Sequence, residues 1–342
     1  MTTYAQLYCT VNDLLMDPTP PAGSVELLLK EIQAASVTIQ QEIGEFVPVS
    51  ETKKFQGSGK DRLWIPALLG LTGVIVNDDV SLAATDFIYC PDGRHWRNGP
   101  YSWLEVDPEH ATNLGTWSPE REGVEIPGRW GLYEETADSG ATVAAQQDAS
   151  QTSLQVSNAA KFSPGLVALI GTEQELVSGY DTPVASVTTL NGGIDAVQET
   201  ITAANGALLN IDEIIRVGVE QMRILDIATH TLYVQRHWNK TLGAAHLTGA
   251  AVDVYRKFTV SRAVNGTTAA VHAAAAGISR YVVPADVLFL CKEIATLMLN
   301  KAGGGYAGKT GNAELGQVYY NDAFPRYDLE RIREHYRIPV VR

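Results

Sequence analysis

The sequence predicts an α+β protein in which a helical platform with a β-hairpin or small sheet carries an inserted all-β domain. Near both ends, apolar positions recur every three or four residues, which is typical of amphipathic helices. From Phe55, short apolar runs are broken by proline, glycine and aspartate, which is typical of strands. The composition shifts to small residues near position 138 and shifts back near 281. We therefore predict a discontinuous helical domain, residues 1–137 together with 281–342, and a β-rich insertion, 138–280.

The helices have recognisable start signals. Thr10 followed by Asp13 predicts a capping box at the first helix, because each side chain can bond the other residue's backbone N–H. Ser24 is expected to cap a longer helix, whose apolar positions form one stripe from Val25. Near the other end, Pro284 suits the first helical position. That third helix closes at Gly303, and a last helix is predicted over 328–336.

The predicted insertion contains two internal duplications. Residues 152–175 align without gaps onto 199–222, and residues 232–246 match 258–272 as V-x-R-x-x-N-x-T-x-x-A-x-H. The first alignment contains the identical pairs Asn158/Asn205, Gly171/Gly218, Glu173/Glu220 and Gln174/Gln221. The second predicts strands that end in turns at Asn239 and Asn265, because asparagine tolerates left-handed backbone angles. Repeated β units indicate a module that packs by repetition.

Composition excludes several functions. The net charge of −13 and the lack of any basic block argue against a conventional nucleic-acid-binding role, because such binding depends on Lys and Arg at phosphates. No apolar run reaches the roughly 20 residues of a membrane span. The N-terminus lacks a secretory signal, which indicates a cytoplasmic protein. The spacing of Cys9, Cys90 and Cys291 favours buried thiols over a disulfide or metal framework.

The stretch "GGGYAGKT", residues 303–310, matches the spelling of a phosphate-binding loop. Such a loop needs a strand before it and a helix after it, so that the helix N-terminus faces the phosphates. Here a predicted helix leads into the glycines, and the residues after Thr310 lack a helical period. We therefore interpret the stretch as a connector between two helices and predict no nucleotide site.

No constellation predicts catalysis. None of the seven histidines has zinc-ligand spacing, and His246 and His272 occupy the same place in the duplicated units, which favours a structural role. No nucleophile elbow is present. The prediction is a protein that is not an enzyme and that needs no cofactor or metal.

Four segments resemble the head–tail connector (adaptor) proteins of tailed bacteriophages. They are "FQGSGKDRLWIPALLGLTGVIVND", "DFIYCPDGRHWRNGPYSWLEVD", "VEIPGRWGLYE" and "YVVPADVLFLCKEIATLML". The matching framework positions are Phe55, Gly57, Gly59, Leu63, Ile65, Pro66, Pro100, Tyr101, Gly128, Trp130, Gly131, Val283, Pro284 and Asp286. In that family the V-P-x-D-V helix usually follows the W-G strand closely, whereas here the β-rich insertion stands between them.

The resemblance implies a structural virion protein of the phage neck, assembled in the bacterial cytoplasm. It implies a ring, twelvefold in this family, that joins the portal protein to a tail-side neck or tail-terminator protein. Double-stranded DNA would pass through its negatively charged channel without sequence-specific binding. By the same resemblance, the C-terminal segment docks on the portal through Arg337, Ile338, Pro339, Val340, Val341 and Arg342.

Two other functions stay open at this point. The insertion could be a binding module that recognises a glycan or a partner protein, with the helical part as its scaffold. An ATP-using enzyme rests on the 303–310 stretch alone.

Overall fold

We analysed a computed structural model. It describes residues 5–17, 20–21, 23–77, 80–90, 100–107, 109–110, 114–303, 309–312, 316–319 and 324–336. Two helices open the chain, α1 (Val11–Leu15) and α2 (Val25–Ile43). The predicted caps are confirmed: Thr10 and Asp13 form the capping box of α1, and the Ser24 side chain accepts from the N–H of Leu27 at the start of α2.

A seven-stranded antiparallel sheet follows the helices. Its strands are β1 (Val49–Phe55), β2 (Arg62–Leu71), β3 (Gly73–Val76), β4 (Val80–Ala83), β5 (Phe87–Cys90), β6 (Tyr101–Val106) and β7 (Val124–Trp130). They are ordered β4-β3-β7-β2-β6-β5, with β1 also paired to β7. This sheet has its own apolar core, which includes the buried side chains of Trp117 and Trp130.

Twelve further strands form two six-stranded antiparallel sheets. In chain order they are β8 (Thr136–Thr142), β9 (Ser153–Gln155), β10 (Val167–Ile170), β11 (Glu173–Tyr180), β12 (Val184–Thr189), β13 (Thr200–Thr202), β14 (Ile214–Val217), β15 (Glu220–Ala228), β16 (Thr231–Gln235), β17 (Ala251–Val254), β18 (Lys257–Ser261) and β19 (Gly277–Tyr281). One sheet has the order β8-β19-β10-β11-β18-β9, and the other has the order β12-β17-β14-β15-β16-β13.

The two sheets have the same topology. Each strand of one sheet has an equivalent at the same place in the other. In chain order, β8, β9, β10, β11, β18 and β19 correspond to β12, β13, β14, β15, β16 and β17. We call β8–β11 with β18 and β19 the first repeat, and β12–β17 the second repeat. The second repeat is inserted between β11 and β18 of the first. The duplicated sequences lie at equivalent places in the two sheets, and both turns at Asn239 and Asn265 have the predicted left-handed angles.

The chain returns to helix after the repeats. Helix α3 (Ala285–Gly303) is followed by a hairpin of β20 (Lys309–Asn312) and β21 (Gly316–Tyr319), and then by α4 (Arg326–Tyr336). Helix α2 packs against α3 and α4, and one apolar core includes residues from α1 to α4. Val167, Leu176 and Val264 of the first repeat belong to the same core. No helix within the described residues is both long and apolar enough to cross a membrane.

The predicted fold class is wrong. The described residues form mostly β structure, with nineteen strands in three antiparallel sheets and a small helical part, so the protein is not a helical platform. The error arose in residues 49–130, where Pro66 and Pro127 suggested ends of strands. Both prolines instead lie inside strands: Pro66 stands where the register of β2 against β6 shifts, and Pro127 pairs with Thr52 of β1.

Candidate functional site

Each repeat contains a buried arginine–glutamate–histidine centre. In the first repeat, Arg262 donates to both carboxylate oxygens of Glu173, at 2.8 and 2.7 Å. Its other N–H groups donate to backbone carbonyls, including those of Asp148 and Ala270, at 2.6 and 2.7 Å. His272 Nε2 lies 2.9 Å from Glu173 Oε2. A planar guanidinium matches a carboxylate in this forked geometry, which makes the pair directional as well as strong.

The second repeat reproduces this centre contact by contact. Arg236 donates from Nε to Glu220 at 2.7 Å and from a second nitrogen to the other carboxylate oxygen. It also donates to the backbone carbonyls of Asp195 and Ala244. His246 Nε2 lies 3.0 Å from Glu220 Oε2. Two copies in equivalent sheets indicate that this centre holds the strands and loops of each repeat together, which is the structural role predicted for the two histidines.

The first repeat has an additional carboxyl group. Glu175 is fully buried beside Glu173, whereas the equivalent position in the second repeat is Met222. Gln147, whose Nε2 donates to Glu175 Oε2 at 3.3 Å, is likewise replaced by an apolar residue, Ile194. The second repeat shows that the fold does not require a carboxyl group at this position.

Glu175 is incompletely paired. Arg262 Nε lies 2.9 Å from Glu175 Oε1, but its single hydrogen is donated to Glu173 Oε1. Glu175 Oε1 and Gln147 Oε1 are both buried without a hydrogen-bond partner in the described part of the chain. Burial raises the pKa of Glu175 to about 7.

The same side chains have the ligand types of a cation site. Glu173, Glu175 and His272 place three possible ligand atoms within 4.8 Å of one another. The guanidinium of Arg262, however, lies within 2.9 Å of a carboxylate oxygen of each glutamate, and it supplies the positive charge that a divalent cation would bring. The second repeat keeps the arginine with one carboxylate fewer. The geometry therefore favours an internal ion pair with a proton-binding carboxyl over a bound cation.

We expect Glu175 to make stability depend on pH. Its folded pKa is raised, so the stability it provides is present below the unfolded value of about 4.3 and is lost as the pH rises through about 7. The loss is on the order of 3 kcal/mol. Replacing Gln147→Ile and Glu175→Met together, as in the second repeat, should flatten the profile between pH 5 and 8 and stabilise the protein at pH 8.

This expectation is measured by urea unfolding across that pH range, as the difference between the wild type and the double variant. Glu175→Gln serves as the control, because it keeps the shape of the side chain and removes only the titration. A Glu175→Gln protein that retained the full pH dependence of the wild type would show that another group is responsible.

The framework residues of the sequence resemblance converge on the seven-stranded sheet. The rings of Phe55 and Trp130 lie 5.7 Å apart, and Trp130 Nε1 donates to the carbonyl of Glu51 at 2.9 Å. A Cβ added to Gly57 would lie 2.4 Å from the Ser118 carbonyl, so a larger residue does not fit there. The positions on this sheet or next to its strands are Phe55, Gly57, Leu63, Pro66, Pro100, Tyr101, Gly128, Trp130 and Gly131. Pro284 directly precedes α3.

The docking stretch Arg337, Ile338, Pro339, Val340, Val341 and Arg342 lies outside the described residues. In the glycine stretch, Lys309 and Thr310 lie in strand β20 rather than at the start of a helix. The connector there contains a hairpin, which the sequence analysis missed.

Sequence reasoning identified the repeated glutamates and histidines but missed their common partner. The signal was present, because Arg236 and Arg262 occupy the same place in the V-x-R motif. Searches of family models, curated proteins and solved structures found no match to this chain.

Proposed function

We propose that this chain is a structural protein of the phage neck, in which copies of the chain form a ring that joins the portal to the tail and lines a DNA channel. The observation that carries the proposal is the resemblance in the framework residues. It is supported by the position of most of these residues on or next to one sheet, where the rings of Phe55 and Trp130 pack together, and by the position of Pro284 directly before α3.

The position of α4 supports docking through the C-terminal segment. Tyr336, the last described residue, is buried, and its ring meets Phe46 edge-on at 5.7 Å. Its hydroxyl lies 3.0 Å from Asp286 Oδ1. The predicted docking segment, residues 337–342, therefore follows directly on a residue that is held in place by its contacts. The charge of −13 per chain suits a channel wall that DNA passes without binding.

Deletion of residues 337–342 is expected to abolish binding to the isolated portal protein of the same phage. The thermal midpoint should be retained, because the deletion begins after Tyr336 and leaves its contacts intact. Binding is measured by co-sedimentation and rings by negative-stain electron microscopy, with a matched chain that carries six glycine or serine residues in place of 337–342. Unchanged portal binding by the deleted chain would contradict the docking role, and a chain that stays monomeric with portal present would contradict the ring.

A second function is favoured by an apolar patch on the second repeat. Four aliphatic side chains are strongly exposed there: Val197 (75%), Val219 (82%), Leu242 (84%) and Leu247 (83%). Their neighbours in the chain come close in pairs: a Cβ on Gly243 would lie 2.6 Å from the Ala196 carbonyl, and a Cβ on Gly218 would lie 3.5 Å from the His246 ring. We call these four side chains the aliphatic patch.

The first repeat shows that the fold does not require this patch. At the equivalent positions it has Ser150, Thr172, Thr268 and Ala273, which are also exposed. Exposed aliphatic groups that the fold does not need are typical of an interaction surface. They offer no hydrogen bonds to sugar hydroxyls, so between the two ligand classes predicted for a binding module they favour a partner protein over a glycan. Within the neck, that partner would be the tail-side protein.

The patch is removed by giving each of its four positions the residue of the first repeat: Val197→Ser, Val219→Thr, Leu242→Thr and Leu247→Ala. We expect the fold to persist and the affinity for the tail-side neck protein to fall at least about a hundredfold, which corresponds to roughly 3 kcal/mol of lost apolar burial. Affinity is measured by calorimetry. As a control, Ser150→Val and Thr172→Val on the first repeat should leave it unchanged. Equal affinity of the wild type and the quadruple variant would exclude the patch as the binding surface.

A further inference from the structure

Two cysteines that are distant in sequence meet in the core. Cys9 immediately precedes the cap of α1, and Cys291 lies in α3. Their sulfur atoms are 3.3 Å apart although 282 positions separate them. Both side chains are buried, as the sequence predicted, and their two sulfur atoms are not joined in a disulfide. The third, Cys90, lies in β5 of the seven-stranded sheet.

The surroundings of the pair place any negative charge on Cys291 rather than on Cys9. Hydrogen bonding with Cys9 lowers the pKa of the Cys291 thiol, and the hydroxyl of Ser36 on α2, 3.5 Å from its sulfur, contributes in the same direction. The same hydrogen bond raises the pKa of Cys9. A thiol and a thiolate at this distance share one proton, and its transfer makes either sulfur the nucleophile.

Cys9 also lines a cavity. The cavity has a volume of about 100 Å³, and its lining includes Thr10, Asp13, Arg280 and Leu288. It lies where the N-terminal segment, the first repeat and α3 meet. Hydrogen peroxide is small enough for such a space, and from there it would reach the pair on the Cys9 side.

We propose that Cys9 and Cys291 are a redox-sensitive pair that hydrogen peroxide converts into a disulfide between the N-terminal segment and α3. The Cys9 thiolate, having passed its proton to Cys291, attacks one peroxide oxygen. The O–O bond breaks, hydroxide leaves, and Cys9 becomes a sulfenic acid. The Cys291 thiol then attacks the Cys9 sulfur, forms the S–S bond and loses its proton, and water leaves. The hydroxide takes up the proton that was released when the pair ionised, so that in total two thiols are oxidised, one peroxide is reduced and two waters form.

The disulfide would restrict the chain in two ways. It closes a loop that contains the seven-stranded sheet and both repeats, so it restricts the unfolded chain strongly. It also ties the short helix α1, through the residue before its cap, to the longest helix of the C-terminal part. The oxidised protein is therefore expected to be the more stable form. This inference concerns the chain itself and does not depend on the proposed neck function.

The test uses the full chain, purified under reducing conditions and then treated with a small excess of hydrogen peroxide. We expect two thiols per chain to be lost, those of Cys9 and Cys291. A Cys9–Cys291 linked peptide should appear in non-reducing mass spectrometry, with a thermal midpoint raised on the order of 10 °C and restored by dithiothreitol. Cys90→Ser should form the same linked peptide, and Cys9→Ser should not.

If the serine variants fold poorly, the results with the wild-type protein are sufficient to test the proposal. Three unchanged thiols after peroxide treatment would overturn the proposal. So would oxidation of Cys9 to a sulfinic acid without any linked peptide, because that result would show that Cys291 does not reach the oxidised sulfur.

Discussion

Replacing Gly266 with alanine is expected to cost roughly 3 kcal/mol or more of unfolding free energy. Gly266 follows the buried Asn265 in the turn after β18, and its φ is +74°. A Cβ built at this position would lie 1.9 Å from the carbonyl oxygen of Ser50 in β1. That oxygen belongs to the backbone of a strand paired along its whole length with β7, so it cannot move aside without disturbing the sheet.

The second repeat contains a matched control at the equivalent position. That residue is Lys240, which has a similar φ of +59° but is exposed. The left-handed backbone angle therefore does not by itself require glycine. What differs is the neighbour, because the turn of the first repeat packs against β1 and against the N-terminal segment, where Asn265 exchanges hydrogen bonds with the backbone of Ala5 at 2.7 and 3.1 Å.

Thermal and urea unfolding of Gly266→Ala and Lys240→Ala measure this difference directly. We expect Lys240→Ala to change the unfolding free energy by less than about 1 kcal/mol, because its side chain is exposed and only its backbone angle is strained. A cost for Gly266→Ala of only about 1–2 kcal/mol, which the left-handed backbone angle alone would explain, would show that the packing against Ser50 is unimportant.

The sequence predicted the features that are encoded locally. The cap residues Thr10 and Ser24 act within one turn of helix, so a short window of sequence is enough to identify them. The turns at Asn239 and Asn265 depend on the preference of one residue type. The duplications were visible because each repeat keeps its identical residues at constant spacing.

The features that were missed depend on contacts between distant residues. The seven-stranded sheet is assembled from pairings such as β1 with β7, which no periodicity in either strand indicates. Pro66 and Pro127 then made those strands look shorter than they are. Likewise, Cys9 and Cys291 appeared unrelated because their spacing follows no motif, and only the packing of α3 beside the N-terminal segment brings them together.

Arg262→Ala is expected to be the most damaging substitution at the paired centres. Removing one partner of a buried ion pair costs about 3–5 kcal/mol, because the remaining charge is left without compensation. Here the arginine also donates to backbone carbonyls in the loops after β8 and β18, so those loops lose their common donor. Without the guanidinium, Glu173 and Glu175 would be two buried carboxyl groups facing each other.

The equivalent Arg236→Ala in the second repeat should cost less. It removes the same hydrogen bonds but leaves one buried carboxylate, Glu220, because Met222 occupies the place of Glu175. In urea unfolding at pH 8, the Arg262→Ala protein should therefore be less stable than the Arg236→Ala protein. The half-exposed Arg216, with 36% of its side chain in solvent, pairs with Asp253 and provides the control for loss of an arginine. Its replacement by alanine should cost about 1 kcal/mol or less.

The expected difference in stability between Arg262→Ala and Arg236→Ala also depends on pH, and this dependence identifies the cause of the difference. At pH 5, below the raised pKa of Glu175, that carboxyl is neutral and the repulsion left by Arg262→Ala is relieved. Arg262→Ala should then approach Arg236→Ala in stability, while the Arg216→Ala control should change little over the same range. A constant gap between the two variants from pH 8 to pH 5 would mean that Glu175 does not contribute. The extra cost in the first repeat would then come from the lost backbone hydrogen bonds and from packing alone.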